Sequence, residues 1–336
     1  MSRTILVTGG AGYVGSMLVP RLLERGDQVR VLDLFWYGHD VLPSEHPRLE
    51  RIAGDLRDPA IVETAVAGVD AVIHLACISN DPSFELDPAL GKSINLDAFP
   101  SLVTAAEKAG VERFIYASSS SVYGVKDTPH VREDATPEPL TDYSRYKLAC
   151  EHILLAETAH SSMTPVILRP ATVCGDAPRL RLDLTVNILT AHALERGVIR
   201  VFGGRQLRPN LHIRDMVAAY ELMLDAPADR IRGEAFNVGF ENHPVRDIAD
   251  KVHDTLSDHD IEIQTEPSDD LRSYHIDSSK IRDVLGFTAQ HTLEDAVREL
   301  EAAYRAGRMV DPLANPKYHN IKRMREVLGE SPGVGA

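Results

Sequence analysis

The run Thr8-Gly9-Gly10-Ala11-Gly12-Tyr13-Val14-Gly15 constrains this chain more than any other stretch. It lies between an apolar strand pattern, Thr4–Thr8, and a helical pattern, Val14–Arg25. Gly9, Gly12 and Gly15 set a G-x-x-G-x-x-G spacing. Such a turn needs one tight bend, then bare backbone against a diphosphate, then close packing of helix on strand. The helix that follows adds free amides and the positive end of its dipole. Tyr13 and Val14 open that helix and join Gly9 and Gly12 as candidate cofactor contacts. Asp33 closes the next strand pattern, where a carboxylate accepts hydrogen bonds from an adenosine ribose diol. The same carboxylate repels a 2′-phosphate, and Leu34-Phe35-Trp36-Tyr37 supplies no cation to offset it. The expected cofactor is therefore NAD rather than NADP.

Strand and helix patterns alternate from here on. Strands are expected at Thr4–Thr8, Gln28–Asp33, Leu49–Gly54, Asp70–Leu75, Glu112–Ala117 and Pro165–Leu168. Helices are expected at Val14–Arg25, Ile61–Val66, Asn95–Lys108 and Asp142–Ala159, with a kink or late start at Pro100. Apolar strands alternating with helices imply an α/β fold: a Rossmann-type, doubly wound parallel sheet. Beyond Arg169-Pro170 the rhythm loosens, with amphipathic segments at Arg214–Leu224 and Leu293–Arg305 and short strands near Phe236–Val238 and Ile261–Thr265. Residues 1–170 are thus expected to form the NAD-binding domain, and 171–336 a smaller α/β substrate domain with some segments returning to the first. The tail Ser331–Ala336 is expected to fray.

Charge and cysteine content narrow the partners. The 336 residues carry a net charge of −14, which argues against nucleic acid and anionic membranes. Three cysteines, Cys77, Cys150 and Cys174, without C-x-x-C spacing imply neither a disulfide framework nor a zinc site. No apolar stretch approaches the ~20 residues of a membrane span. A cytoplasmic, metal-free protein is expected.

Tyr143 and Lys147 form Y-x-x-x-K on a helical pattern, which puts both side chains on one face. An ammonium beside a phenol favours the phenolate, lowering its pKa from ~10 toward working pH. The spacing alone is weak, because Tyr318 and Lys322 repeat it. That second pair reads as a surface helix pair. The first is set apart by Ser118-Ser119-Ser120-Ser121-Val122-Tyr123-Gly124, a hydroxyl run after a strand. In a parallel sheet such a run shares the crevice with the Gly9 turn.

Taken together, the chain resembles the extended short-chain dehydrogenase/reductases, specifically the nucleotide-sugar epimerase/dehydratase group. The matching pieces are residues 8–15, Gly54-Asp55-Leu56, His74-Leu75-Ala76, Asn95, Ser118–Gly124, Tyr143 with Lys147, Leu168-Arg169-Pro170 and His212-Ile213-Arg214-Asp215. The resemblance implies that Tyr143 is the catalytic base, that Lys147 holds the nicotinamide ribose and the phenolate, and that Ser119 is the catalytic hydroxyl. It places Asp55 and Leu56 beside the adenine and Asn95 behind the nicotinamide, and adds Leu75, Ala76 and Pro170 to the cofactor set.

The resemblance also bears on the reaction. Dehydratases of the group carry Asp-Glu directly after the catalytic Ser or Thr; here Ser120 and Ser121 stand there. Enzymes that epimerise at C3 and C5 tend to place a cysteine at the position of Ser121. A 4-epimerase acting on a nucleotide sugar is the leading expectation. A 4-ketosugar reductase or sugar dehydrogenase is the alternative, and a non-catalytic dinucleotide-binding scaffold is the reading from another class. On the substrate side, Arg208 matches a diphosphate-binding arginine of the group. Arg272 and Asn187 are further phosphate candidates. Ser79, Asn80, Ser120 and Ser121 are expected around the sugar. Arg179-Leu180-Arg181-Leu182-Asp183-Leu184 departs from the epimerase pattern. A homodimer is expected through the helices after the fourth and fifth strands, with Ile153, Leu154 and Leu155 extending the Tyr143 helix beyond its active-site face.

Overall fold

The computed structural model describes residues 2–79, 81–126, 128, 130–268, 273 and 275–329. In chain order its strands are β1 (Thr4–Thr8), β2 (Gln28–Asp33), β3 (Leu49–Ala53), β4 (Ala71–His74), β5 (Arg113–Ala117), β6 (Thr164–Pro170), β7 (Thr172–Cys174), β8 (Val198–Phe202), β9 (Leu207–His212), β10 (Glu234–Val238), β11 (Glu241–Pro244) and β12 (Glu262–Glu266). Among the described residues, seven of them form one sheet in the order β10-β6-β5-β4-β1-β2-β3. Every pairing in it is parallel. This is a Rossmann-type doubly wound sheet whose strand order reverses beside β1.

Alternation along the strands loads both faces with apolar side chains. Ile5 and Val7 point into one layer with Leu18 and Leu22 of the helix Tyr13–Glu24 and with Met216 and Tyr220 of the helix Ile213–Asp225. Leu6 points into the other, against Val62, Leu102 and Leu154 from the helices Pro59–Val66, Phe99–Lys108 and Asp142–Glu157. Pro100 stands in the first turn of its helix, where a missing N–H costs nothing. A short π-helical turn, Ser93–Asp97, precedes it, so the α-helix starts late, at Phe99, one of the two outcomes expected of Pro100.

The second half contributes to both parts of the molecule. β10 pairs with β6 and closes the large sheet. The pair β8 and β12 packs with helices Thr185–Arg196, Val245–Thr255 and Leu293–Arg305 around a separate apolar cluster. β7, β9 and β11 form a third, three-stranded sheet next to the site.

Two expectations are corrected here. Leu154 is 0% exposed in the core, so it is not part of an outer face; Ile153 and Leu155 only border that core. Tyr318 and Lys322 do not share a helix: Tyr318 ends a 3-10 turn, Pro316–Tyr318, and Lys322 lies in the helix Asn320–Val327. Among the described residues, no helix is long and apolar enough to cross a membrane.

Candidate active site

A cavity of about 610 Å³ opens where the carboxyl ends of β1, β2, β4, β5 and β6 meet. Its floor is the glycine turn. Gly9 has φ +73°, and a Cβ there would lie 2.6 Å from the Ala76 amide nitrogen. A Cβ on Gly15 would lie 2.6 Å from the Gly10 Cα. Only glycine permits the turn to press on the next strand and helix. Gly12 caps the helix Tyr13–Glu24 with no side-chain hydrogen bond, and that helix has no acidic residue in its first turn. Its amides are thus aimed at an anion rather than at a capping side chain.

Asp33 stands at the end of β2 on the cavity wall. Its Oδ2 accepts from the Ala11 amide at 2.9 Å and its Oδ1 from the Phe35 amide at 2.7 Å. Burial raises its pKa, while those two amides oppose the rise. The carboxylate is held rigidly with lone pairs left for a diol. Asp55 and Leu56 line the same end, and Arg57 pins Asp55 at 2.6 Å, lowering its pKa. Tyr13, Val14, Leu75, Ala76 and Pro170 also reach the wall. A bare glycine cradle, an uncapped helix terminus and a fixed carboxylate fit a dinucleotide.

The catalytic candidates converge from two elements. Thr141 and Ser144 form a capping box that fixes the first turn of the helix Asp142–Glu157. Tyr143 sits in that turn and Lys147 one turn on. Lys147 is 5% exposed, donates to the Ala117 carbonyl at 2.7 Å and lies 5.8 Å from the Tyr143 ring centroid. Among the described residues it makes no ion pair, so its charge is left to act on its surroundings. One consequence is visible at His74. Burial, reinforced by the Lys147 ammonium, holds that imidazole down to about 3. Ser119 caps the turn Ser120–Tyr123, its Oγ 2.8 Å from the Ser121 hydroxyl. Ser119, Ser120, Ser121, Tyr143 and Lys147 all line the cavity.

Beneath them lies a buried ionic network. Arg169 donates twice to Glu151, at 3.0 and 2.6 Å, and once to the Tyr123 hydroxyl at 2.8 Å. Ser118 donates to the same Glu151. The pair ties β6, the serine loop and the helix Asp142–Glu157 into one body.

The remaining candidates separate. Arg208, on β9, and Ser79, after β4, line the cavity. Asn187 is 0% exposed and its amide is spent on Gly175, Tyr13 and Arg181 rather than on the wall. Asn95 is likewise turned inward, exchanging two hydrogen bonds with the Ile78 backbone. Asn80 and Arg272 lie outside the described residues.

Sequence reasoning missed one side of the cavity. Arg179, Arg181 and Asp183, from the loop after β7, line it together with Tyr37 and Asn320. Arg181 pairs with Asp183 at 2.7 Å. Asn320 donates to the Ser79 hydroxyl at 2.8 Å and accepts from the Tyr37 hydroxyl at 3.0 Å. The only sequence signal was the departure of residues 179–184 from the epimerase pattern; nothing marked Asn320.

Comparison with known proteins gives the following. The model of the NAD-dependent epimerase/dehydratase family matches residues 5–239. An uncharacterized protein of Sinorhizobium fredii, y4nG, is 36% identical over 173 residues, 52% of this chain but only 42% of that protein's length. A UDP-glucose 4-epimerase of Lactobacillus helveticus is 28% identical over 316 residues, covering 87% of this chain and 94% of the relative. A dTDP-glucose 4,6-dehydratase of Streptomyces niveus is also 28% identical, over 335 residues, covering 93% of this chain and 96% of the relative. Among solved structures, MoeE5 in complex with UDP-glucuronic acid and NAD superposes with a TM-score of 0.79 at 30% identity, covering 90% of this chain and 99% of MoeE5.

Proposed function

The chain belongs to the NAD-dependent epimerase/dehydratase family, and on that footing we propose that it is a nucleotide-sugar 4-epimerase. The observation that carries this reading is the pair of residues after Ser119. Elimination of water needs an acid and a base held beside the sugar. Ser120 and Ser121 offer hydroxyls there, which can hydrogen-bond a sugar but are too weak as acid and base to supply that pair at neutral pH. Overall identity does not choose, being 28% to an epimerase and to a dehydratase alike.

Bound NAD supplies the oxidising and then reducing equivalents at C4 of the hexose. Everything else falls to the chain. The Gly9–Gly15 turn receives the diphosphate, and Asp33 fixes the adenosine ribose. Asp55, Leu56, Leu75, Ala76 and Pro170 complete the cofactor wall. Tyr143 takes the proton of the 4-hydroxyl as the carbonyl forms. Lys147, which makes no ion pair among the described residues, favours the phenolate and orients the nicotinamide ribose. Ser119 donates to the same substrate oxygen and steadies it. The sugar then turns within the cavity, so that hydride would return to the opposite face of C4 while Tyr143 gives the proton back to O4. Arg208 holds the substrate's diphosphate, with Ser79, Ser120 and Ser121 around the hexose. Asn95 and Asn187 act one step back, by holding the 78 and 175 backbones. The partner is a UDP- or other nucleoside-diphosphate hexose, and the helices Phe99–Lys108 and Asp142–Glu157 are proposed to form an isologous homodimer seam in a cytoplasmic enzyme.

The test is incubation of the purified protein with UDP-glucose, UDP-galactose and dTDP-glucose, with no cofactor added, followed by NMR of the products. The C4 epimer is the expected product. A 4-keto-6-deoxysugar, or turnover only with stoichiometric consumption of added NAD, would overturn the reading.

A further inference from the structure

Arg179 is a buried charge with an unpaired edge. It is 3% exposed, yet among the described residues it makes no ion pair. The adjacent carboxylate, Asp183, is engaged by Arg181 at 2.7 Å and by the Asn320 amide at 3.0 Å. The guanidinium of Arg179 lies over the Tyr37 ring, 3.7 Å from its centroid, and donates from Nη2 to the Asn320 side-chain oxygen. Its Nε is buried with no hydrogen-bond partner. Burial presses its pKa downward, but a guanidinium remains charged at any working pH. The nearby Asp183 carboxylate offsets part of the cost of burying that charge, and a further anion at the unpaired Nε would complete the arrangement.

The position of Arg179 says which anion. Its backbone N–H donates to the Ser16 hydroxyl at 3.2 Å, so its loop is seated on the helix that begins at the glycine turn. The Tyr37 ring that carries it lies four residues beyond Asp33, and the Arg179 charge is among those that oppose the burial-driven rise of the Asp33 pKa. Arg179, Gly12, Asp33 and Tyr37 border one cavity.

We propose that Arg179 is a side-chain ligand of the cofactor's diphosphate. It adds a full positive charge to the partial charge of the glycine-turn helix. Tyr37 and Asn320 are its positioning residues: the ring supports the guanidinium's flat face, and the amide orients its edge. Asn320 also donates to Ser79, so the helix Asn320–Val327 ties the Arg179 loop to the segment after β4. The inference rests on the NAD-binding reading and adds to it a ligand 141 residues from its own orienting residue.

Calorimetric titration separates the roles. The ligands are NAD, NADP, ADP, adenosine and UDP, and the proteins are wild type, Arg179→Gln, Arg179→Lys and Asn320→Ala. Arg179→Gln is expected to weaken NAD and ADP by ~10-fold or more, the worth of a charge-assisted hydrogen bond, and to leave adenosine and UDP within ~2-fold. Arg179→Lys keeps the charge and is expected to recover part of the loss at low salt. Asn320→Ala leaves the charge in place and is expected to weaken ADP by ~3-fold, with adenosine unchanged; it carries the comparison if Arg179→Gln does not fold. Equal losses for adenosine and ADP would make Arg179 merely structural. A loss confined to UDP would move the anion to the substrate, one confined to NADP would move it to a 2′-phosphate, and unchanged affinities would remove the site. Each overturns the proposal. Failure of the wild type to bind NAD would instead overturn the cofactor reading.

Discussion

Tyr143 with Lys147 and Tyr318 with Lys322 repeat one four-residue spacing in two surroundings, and their contacts differ at every point. The first pair begins a capped helix at the carboxyl end of a parallel sheet, with both side chains on the cavity wall. Lys147 is buried against the end of β5. The second pair straddles a break between two short helical elements. The Tyr318 hydroxyl is 3.3 Å from the Val310 amide, from which it accepts, and 3.3 Å from the Arg308 carbonyl, to which it donates. Lys322 donates to the Leu313 carbonyl. Those bonds fasten the 308–315 loop to the segment that carries Asn320. Spacing sets only which side chains can meet on a helix. The helix start and what lies beyond its end decide whether the meeting is chemical or structural.

The comparison breaks most visibly at the first phenol. Tyr143→Phe keeps the ring and is expected to lower turnover by ~100-fold or more while NAD binding and thermal stability survive. Steady-state kinetics beside a binding titration checks this, and near-normal turnover would place both tyrosines in the structural class. Ser119→Ala is expected to cost less, ~10-fold in turnover, because it removes one hydrogen bond rather than the proton acceptor.

A pH series probes the field of Lys147 through its neighbour. The folded His74 is held to about 3 by burial first and by Lys147 second, whereas an unfolded histidine titrates near ~6.5. Between those values the unfolded chain binds the extra proton, so stability rises with pH there. The contribution is complete above ~6.5 and is lost as pH falls toward about 3. His74→Gln is expected to flatten urea-unfolding stability against pH in that window by ~1 kcal/mol per pH unit. Parallel curves for the two proteins would contradict the buried, neutral imidazole.

The smallest effect is expected at the second phenol. Tyr318→Phe removes long hydrogen bonds at a half-buried site, so turnover should stay within ~2-fold and stability within ~1 kcal/mol. A tenfold loss of turnover would mean that the C-terminal segment takes part in chemistry.

Legibility in the sequence follows the range of the interactions. β1 and β2 fall on the residues expected of them, because strand alternation and the glycine turn are local signals. The helix Leu293–Arg305 does so too, through its strong amphipathic pattern. The helices Thr185–Arg196 and Val245–Thr255 and the strands β8 and β9 were not anticipated. Gly197, Gly203 and Gly204 do punctuate this stretch, but the apolar faces between them are buried against Val245–Thr255 and Leu293–Arg305, which lie far along the chain. The site divides along the same line. Gly9, Asp33, Tyr143 and Lys147 are legible because each is tied to a strand end or a helix turn. Arg179 and Asn320 meet across 141 residues, and no spacing encodes that. The lack of cations in residues 34–37 was read correctly from the chain, yet the fold brings Arg179 onto Tyr37 from elsewhere.

The central claim is that the hydrogen at C4 leaves and returns within one closed site. UDP-glucose carrying deuterium at C4, turned over in ordinary water without added cofactor, tests it most directly by mass spectrometry and NMR of the C4 epimer. The account predicts that the product keeps the label at C4, and that unlabelled substrate turned over in deuterated water gains none there. Label passing to an external NADH pool, or solvent deuterium appearing at C4, would contradict it.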